Sequence, residues 1–219
     1  NQENHKILIE QKIVNSEKLI LLHGGEGVNL SKYKYTNSDF SSKTTFLMIS
    51  RILYDKGYSE FVEAAKTIKQ EYKDFVYDSP MGVRKEEFEK DMNSDTVKYL
   101  GVTDNVPLYL GRTNVVMVLP SYSEGLSRSL MEACAMGRPV IASNIPGCKE
   151  TVEDGKNGYL IEPRSSESLV KKIEEFLKLD ETKKREMGRQ SRIIAEKKFD
   201  VNHVISEYDK IINGCKNKN

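Results

Sequence analysis

Two carboxylates in the middle of the chain stand among residues that give them no obvious partner. Glu132 is the only charged residue in the apolar or small run Leu130–Met136, and Glu124 follows an uncharged run that ends at Pro120. A carboxylate on an apolar helix costs free energy unless it is paired or reaches a polar ligand. Such carboxylates can act as general acid and base in sugar hydrolysis, or accept hydrogen bonds from the hydroxyls of a ribose and a sugar. The spacing leaves both tasks open, because Glu124 precedes the helix.

Glu132 also has explanations that involve no ligand. Ser127 or Ser129 is expected to cap the helix, and Glu132 lies about one turn from that start. An acidic residue near a helix start is favoured by the helix dipole, and it could instead pair with an arginine. The sequence leaves these explanations open beside the ligand-binding one.

Two cations, Arg51 and Lys56, lie in a loop between the apolar run "TTFLMIS" and a predicted helix. The first backbone N–H groups of a helix have no partner within it, and the helix dipole adds to their attraction for anions. The two side chains therefore either complete an anion site or are ordinary solvated surface residues. An anion site beside carboxylates that accept from hydroxyls would suit a nucleotide sugar.

Short apolar runs alternate with helical patterns through most of the chain, which predicts βαβ units. The six predicted strands are "TTFLMIS", "DFVYD", "TVKYLG", "VVMVL", "PVIAS" and "NGYLIEP". The fold class is therefore α/β, with a doubly wound parallel sheet. Ligands of such sheets bind outside the carboxyl ends of the strands, so both candidate segments are expected at one edge.

The first 43 residues read differently from the rest of the chain. They are predicted to hold a helix at "HKILIEQKIV", a strand in "KLILLHGGEGVN" and then a polar linker. The regular part, residues 44–219, is predicted to hold helices at "RKEEFEKDM" and "ESLVKKIEEFLKL", the second capped by Ser165 or Ser166, and further helix to about Gly214. A further helix is predicted before these two, after "RILYDKG". It has one apolar face, made of Phe61, Ala64, Ala65, Ile68 and Tyr72.

Composition and cysteine spacing argue against several classes of function. The chain has 34 basic and 33 acidic residues, so no overall field favours nucleic acid. Cys134, Cys148 and Cys215 have no metal-binding spacing and form no C-x-x-C pair, and their odd number indicates a reducing compartment. No apolar run approaches the roughly 18 residues of a membrane span.

The glycine-rich stretch "HGGEGVN" does not carry a nucleotide-binding fingerprint. Its glycines are too close together for G-x-G-x-x-G, and a P-loop is absent. A dinucleotide oxidoreductase is therefore not supported. His23, at the start of this stretch, is expected to be structural or solvent-facing rather than catalytic.

Taken together, these segments resemble the carboxyl-terminal half of the family four retaining glycosyltransferases. The resemblance runs from "GEGVNLSKY" to "FDVNHVISEYDKIIN" and is closest to bacterial enzymes of capsular polysaccharide and lipid-linked glycan synthesis. Its specificity comes from E-x7-E together with "GRPVIAS", "PGCKE", "NGYLIEP" and the upstream cations. The family implies the GT-B architecture, in which two Rossmann-like domains face each other across a cleft.

The resemblance also implies a role for each candidate residue. Arg51 and Lys56 match the pair that binds the diphosphate of the donor, and Glu124 matches the residue that holds hydroxyls of the transferred sugar. Glu132 matches the residue that binds the ribose hydroxyls. The loop that follows Glu124 would complete the donor site, with backbone N–H groups near the sugar, through Gly125, Leu126 and Ser127.

The chemistry implied by the family is a retaining hexosyl transfer from a nucleotide-diphosphate sugar, with UDP the favoured nucleotide. Arg51, Lys56 and Glu124 are the expected catalytic residues, and the two cations would stabilise charge that grows on the leaving diphosphate. No cofactor and no metal are expected. The family is read as a same-face substitution, so Glu124 is not expected to be a nucleophile.

The sequence departs from the family pattern at two places. Asp78 and Ser79 stand where the family has a glycine near the donor, which puts nucleotide or sugar contacts in doubt. Ser127 stands where proline is frequent, and serine can still cap the helix.

Residues 1–43 are too few to form the acceptor domain that such enzymes carry. They are therefore expected to be a hinge or linker from the junction with a missing domain, and residues 44–219 are expected to be the donor-binding domain. Alone, the chain is expected to be inactive. The family implies a glycan or lipid-linked acceptor and a cytoplasmic location, at the inner face of the membrane. The alternative is a non-catalytic nucleotide-sugar-binding subunit that completes a site on a partner chain.

Overall fold

The computed structural model describes residues 2–21, 24–51, 53–68, 73–77 and 97–216. Several sequence predictions fall outside these residues, namely those on His23, Tyr72, Asp78, Ser79 and the helix at "RKEEFEKDM".

A parallel sheet of six strands forms the centre of the fold. The strands are β1 (Thr45–Ser50), β2 (Lys73–Tyr77), β3 (Lys98–Val102), β4 (Val115–Leu119), β5 (Val140–Ser143) and β6 (Gly158–Ile161). Their order is β3-β2-β1-β4-β5-β6, and every neighbouring pair is parallel. The predicted strands and the doubly wound fold class are confirmed. The direction of winding reverses between β1 and β4, which is where such sheets place their ligands.

Helices cover both faces of this sheet. They are α1 (Gln2–Glu10), α2 (Tyr58–Thr67), α3 (Val106–Leu110), α4 (Arg128–Ala135), α5 (Pro146–Lys149), α6 (Ser166–Leu177), α7 (Glu181–Lys198) and α8 (Val201–Lys216). Helix α2 packs against α6, and α4 packs against α7. Every residue of β4 is at most 1% exposed, as expected of a central strand covered on two sides. None of the helices in the described ranges is both long and apolar enough to cross a lipid bilayer.

The predicted helix caps, helix end and apolar helix face are present in the structure. The Ser127 side chain accepts from Leu130 N at the start of α4, and the Ser165 side chain caps α6 in the same way. After α4, Gly137 takes a left-handed φ of 74°, which ends the helix. The predicted apolar face of α2 is buried at Phe61, Ala64, Ala65 and Ile68.

The segment before the sheet differs from its prediction. Ser16–Lys18 form a single 3-10 turn, and residues 19–21 have no regular structure, so the predicted strand is not present in that described part. A strand needs a neighbour for its backbone hydrogen bonds, and Ile20 is instead 59% exposed. Residues 24–43 are largely irregular, yet Val28, Tyr33 and Phe40 belong to the buried core.

Arg138, in the turn after α4, is fully buried and holds three segments together. Its guanidinium donates to the carbonyls of Met136, Arg112 and Thr113 at 2.8–3.1 Å, and to the carbonyl and hydroxyl oxygens of Thr36. Burial lowers the pKa of this side chain to about 10. Arg138 thus links the segment before the sheet to the end of α4 and to the loop before β4. Hydrogen bonds with a charged partner are among the stronger ones in proteins, so this link is expected to be a strong one.

Candidate functional site

Lys56 and Glu124 meet at the carboxyl edge of the sheet. Lys56 lies in the short 3-10 turn after β1, and Glu124 lies in the loop after β4. Since β1 and β4 pair directly, the two segments emerge side by side. The Lys56 Nζ atom is 2.8 Å from Glu124 Oε1, and the two side chains are only 14% and 12% exposed. The structure thus brings together two residues that are 68 positions apart in the sequence.

Backbone contacts fix the two segments that carry this ion pair. The Tyr122 N–H donates to the carbonyl of Asp55 at 2.7 Å, and the Ser121 hydroxyl donates to the same oxygen at 3.1 Å. Gly57 packs against Pro120 with a left-handed φ of 74°, and a Cβ there would overlap the Pro120 carbonyl. The close approach of the two loops therefore depends on a glycine at position 57.

Glu132 lies on α4, the helix that follows the Glu124 loop, and is 4% exposed. Its Oε1 atom accepts from the Tyr33 hydroxyl at 2.5 Å and from Arg128 Nε at 3.0 Å. The arginine partner is one of the explanations that the sequence left open. Burial, and then the hydrogen bond to Glu132, raise the pKa of Tyr33, while the hydrogen bond to Glu132 raises the pKa of Arg128.

Tyr33 is a site residue that sequence reasoning missed. It lies in a segment predicted as a linker, 99 positions before its partner. The chain has 11 tyrosines and no pattern distinguishes this one, so the sequence held no usable signal.

The glycine of the "PGCKE" stretch packs against the loop that carries Glu124. Helix α5 begins at Pro146, and a Cβ built on Gly147 would lie 2.5 Å from the Glu124 carbonyl oxygen. The backbone of Glu124 and Gly125 is thereby held against the first turn of α5. The next residues, Leu126 and Ser127, lead directly into α4.

Replacement of Gly147 with alanine is expected to lower the free energy of unfolding by about 1–3 kcal/mol, because the added methyl group would force the Glu124 loop away from α5. Urea unfolding followed by circular dichroism measures this change. Gly125→Ala is the matched control, since a Cβ at Gly125 meets no atom within 4 Å. Equal stability of the two variants would contradict the packing argument.

Arg51 occupies a more open position than Lys56. It follows directly after β1 and its side chain is exposed at the same edge of the sheet. A cleft of about 1090 Å³ opens elsewhere, between α1, α5 and α8, and none of the residues that the structure places along it is a predicted site residue.

The ranges that the structure describes contain no cluster of three or more histidine, cysteine or acidic side chains that could hold a metal ion. Burial raises the pKa of Cys134 to about 12 and also raises that of Cys148, so neither thiol is set up as a metal ligand or nucleophile. The expectation of a metal-independent reaction stays a prediction.

Comparison with known proteins identifies the family. The family model for glycosyl transferases group 1 matches residues 33–193. The N,N'-diacetylbacillosaminyl-diphospho-undecaprenol alpha-1,3-N-acetylgalactosaminyltransferase of Campylobacter jejuni is 31% identical over 67% of this chain and 42% of that protein. The capsular polysaccharide biosynthesis glycosyltransferase CapM of Staphylococcus aureus is 26% identical over 95% of this chain and 58% of that protein. The chain thus spans about half the length of these curated relatives.

Solved structures share the fold. Anabaena Alr3699/HepE in complex with UDP-glucose superposes with a TM-score of 0.84 at 23% identity, covering 98% of this chain and 62% of that one. A glycosyltransferase from Rickettsia africae gives a TM-score of 0.81 at 20% identity, over 95% of this chain and 60% of that one. These likenesses confirm the expected fold, a Rossmann-like half of the GT-B architecture. With the family model matching well over half of its residues, the chain belongs to the glycosyl transferases group 1 family.

Proposed function

We propose that this chain is the donor-binding domain of a hexosyltransferase, and that it binds a nucleotide-diphosphate sugar at the carboxyl edge of its sheet. The observation that carries the proposal is the pairing of Lys56 with Glu124 at 2.8 Å, where β1 and β4 end. A cation and a carboxylate held side by side offer one group to a diphosphate and the other to sugar hydroxyls. UDP is the favoured nucleotide, since the similar Anabaena protein carries UDP-glucose.

Each part of the donor has a proposed partner. Arg51 and Lys56 bind the diphosphate, with Lys56 shared between the phosphate and Glu124. Glu124 accepts from hydroxyls of the transferred sugar, and the backbone N–H groups of Gly125 and Leu126 lie near that sugar, with Ser127 beside them at the helix start. Glu132 accepts from the ribose hydroxyls, held in place by its contact with Tyr33.

The proposed reaction is a retaining, metal-independent transfer. The bond between the anomeric carbon and the diphosphate oxygen breaks as the acceptor hydroxyl forms a bond to the same face of that carbon. The hydroxyl proton passes to the departing diphosphate, and the electron pair of the broken bond stays on it. Arg51 and Lys56 favour this step because negative charge on the diphosphate is greatest as the bond breaks.

The proposed acceptor is a growing polysaccharide or a lipid-linked glycan, held by an amino-terminal domain. Two relatives support this class of acceptor, since one is named for a diphospho-undecaprenol substrate and the other for capsular polysaccharide biosynthesis. We place the enzyme in the cytoplasm, at the inner face of the membrane. The chain alone is expected to bind the donor without transferring the sugar.

Glu132→Ala is expected to weaken UDP-sugar binding about ten-fold or more, because hydrogen bonds to a charged acceptor contribute about 1.5–3 kcal/mol. Calorimetric titration with UDP, GDP, UDP-N-acetylglucosamine and UDP-galactose measures this and identifies the base. Glu174→Ala is the matched control, because Glu174 is an exposed carboxylate on α6 that should leave affinity unchanged. Circular dichroism checks that each variant is folded.

Two results would count against the proposal. If the folded wild-type chain binds none of these ligands, the donor site is not complete in this chain, as expected of a subunit that completes a site on a partner. If Glu132→Ala binds UDP-sugar as tightly as the wild type, Glu132 does not hold the ribose.

A further inference from the structure

A buried carboxyl group lies behind the candidate site, where the proposed binding scheme does not use it. Glu60, in the first turn of α2, is 9% exposed. Its Oε1 atom accepts from the Tyr122 hydroxyl at 2.5 Å, while its buried Oε2 atom has no hydrogen-bond partner in the described part of the chain. A carboxyl oxygen left without a partner costs about 1–3 kcal/mol, so packing alone does not explain this residue.

The ring of Tyr122 is fixed from two further sides. Tyr54 meets it edge-on, with ring centroids 5.5 Å apart and an interplanar angle of 84°. The guanidinium of Arg164 lies over it, 4.8 Å from the centroid. Arg164 takes a left-handed φ of 61°, which is unfavourable for a residue with a side chain. Two locally unfavourable features, at Glu60 and Arg164, thus converge on one aromatic ring, as is typical of functional sites.

This arrangement lies on the two segments that carry the ion pair. Glu60 follows Lys56 by four residues, and Tyr122 precedes Glu124 by two. The same segments are joined by the Tyr122 N–H to Asp55 hydrogen bond at 2.7 Å. The Glu60–Tyr122 contact therefore adds a side-chain link between them, next to the Lys56–Glu124 contact itself.

We propose that Glu60 and Tyr122 are positioning residues, whose hydrogen bond sets the separation of Lys56 and Glu124 before the nucleotide sugar binds. The inference rests on the proposed function and deepens it, because it names what orders the donor site. Without the Tyr122 hydroxyl, the loop that carries Glu124 loses its anchor on α2. Part of the binding free energy is then spent on ordering the two side chains.

The first test needs no ligand. A double-mutant cycle with Lys56→Met and Glu124→Gln, measured by urea unfolding, gives the coupling between these residues. In a Tyr122→Phe background we expect this coupling to fall by at least about half, because the two side chains no longer hold one separation. Tyr208→Phe, at an exposed tyrosine of α8, is the control background and should leave the coupling unchanged.

The second test uses UDP-sugar affinity and a conservative variant. Tyr122→Phe and Glu60→Ala are each expected to weaken binding about five-fold, with no further loss when combined, since both remove one hydrogen bond. Glu60→Gln should bind like the wild type, because its amide oxygen still accepts from Tyr122. A residue that served stability alone would lower the unfolding free energy in Tyr122→Phe and Glu60→Ala and leave UDP-sugar affinity unchanged.

The outcomes separate this inference from the proposed function. If the wild-type chain binds no nucleotide sugar, the proposed function fails while the coupling measurement still decides the positioning role. If the Lys56–Glu124 coupling is the same in the Tyr122→Phe background, the positioning role is overturned. Equal loss of affinity in Glu60→Gln and Glu60→Ala would also overturn it, because the hydrogen bond would then not be the cause.

Discussion

Replacing Arg138 with methionine is expected to lower the free energy of unfolding by about 4 kcal/mol or more, since removal of one partner from a buried charged network typically costs 3–5 kcal/mol. Arg138 is 0% exposed, and among the described residues its hydrogen bonds go to carbonyls and one hydroxyl rather than to an acidic side chain. Methionine fills a similar volume but donates to none of these oxygens, although the carbonyls of Thr113 and Met136 keep backbone donors from Asp39 and Thr36. The expected loss comes from the hydrogen bonds of the guanidinium that join the three segments.

Urea or thermal unfolding of the purified chain measures this loss. Arg189→Met is the matched control, because Arg189 is 55% exposed and pairs with Glu186 on its own helix, so its replacement should change stability by less than about 1 kcal/mol. Arg138→Lys should also be strongly destabilised, because an ammonium group cannot reach acceptors on three segments at once. A wild-type-like unfolding curve for Arg138→Met would show that the network contributes little.

Lys56→Met is expected to weaken binding of both UDP and UDP-sugar by about 10–100-fold, since a charge-assisted hydrogen bond to phosphate contributes about 1.5–3 kcal/mol. The loss should be large because Glu124 is only 12% exposed and would be left without its cation beside the incoming diphosphate. Calorimetric titration of both ligands measures it.

Glu124→Gln is the informative companion to this variant. If Glu124 contacts the sugar and not the diphosphate, this substitution should weaken UDP-sugar binding and leave UDP binding nearly unchanged. Loss of UDP binding in Glu124→Gln would mean that Glu124 acts chiefly by holding Lys56 in place. Unchanged UDP affinity in Lys56→Met would contradict the assignment of Lys56 to the diphosphate.

The sheet, and the edge at which Lys56 and Glu124 both lie, could be predicted because they follow from local patterns and a general rule. Strand β4 is an uncharged, β-branched run, which is typical of a strand covered on both faces. Parallel strands end at one edge, so the residues after β1 and β4 were expected there, and their contact follows from the direct pairing of β1 with β4 in the structure. The same reasoning failed at residues 19–21, since an apolar run does not reveal whether a partner strand exists.

Apart from the arginine partner of Glu132, the polar contacts that hold the site could not be predicted. Tyr33 lies in an irregular segment without periodicity, and its contact with Glu132 spans 99 positions. Glu60 belongs to an amphipathic helix on which a glutamate is expected to face water, yet it is buried against Tyr122. Arginine is usually a surface residue, so nothing in "GRPVIAS" indicated that Arg138 is fully enclosed. Such contacts depend on tertiary distances, which composition and spacing do not contain.

The irregular residues 24–43 limit how far this chain can be trimmed. Tyr33 supplies the hydroxyl that reaches Glu132, and Thr36 supplies two acceptors of Arg138. The ring of Phe40 packs edge-on against Phe176, with centroids 5.5 Å apart. Val28 forms an isolated bridge with Asp200, at the entry to α8. A shortened chain that began at β1 would lose all four contacts, so we expect a minimal folding unit to need the sequence from Val28 onward.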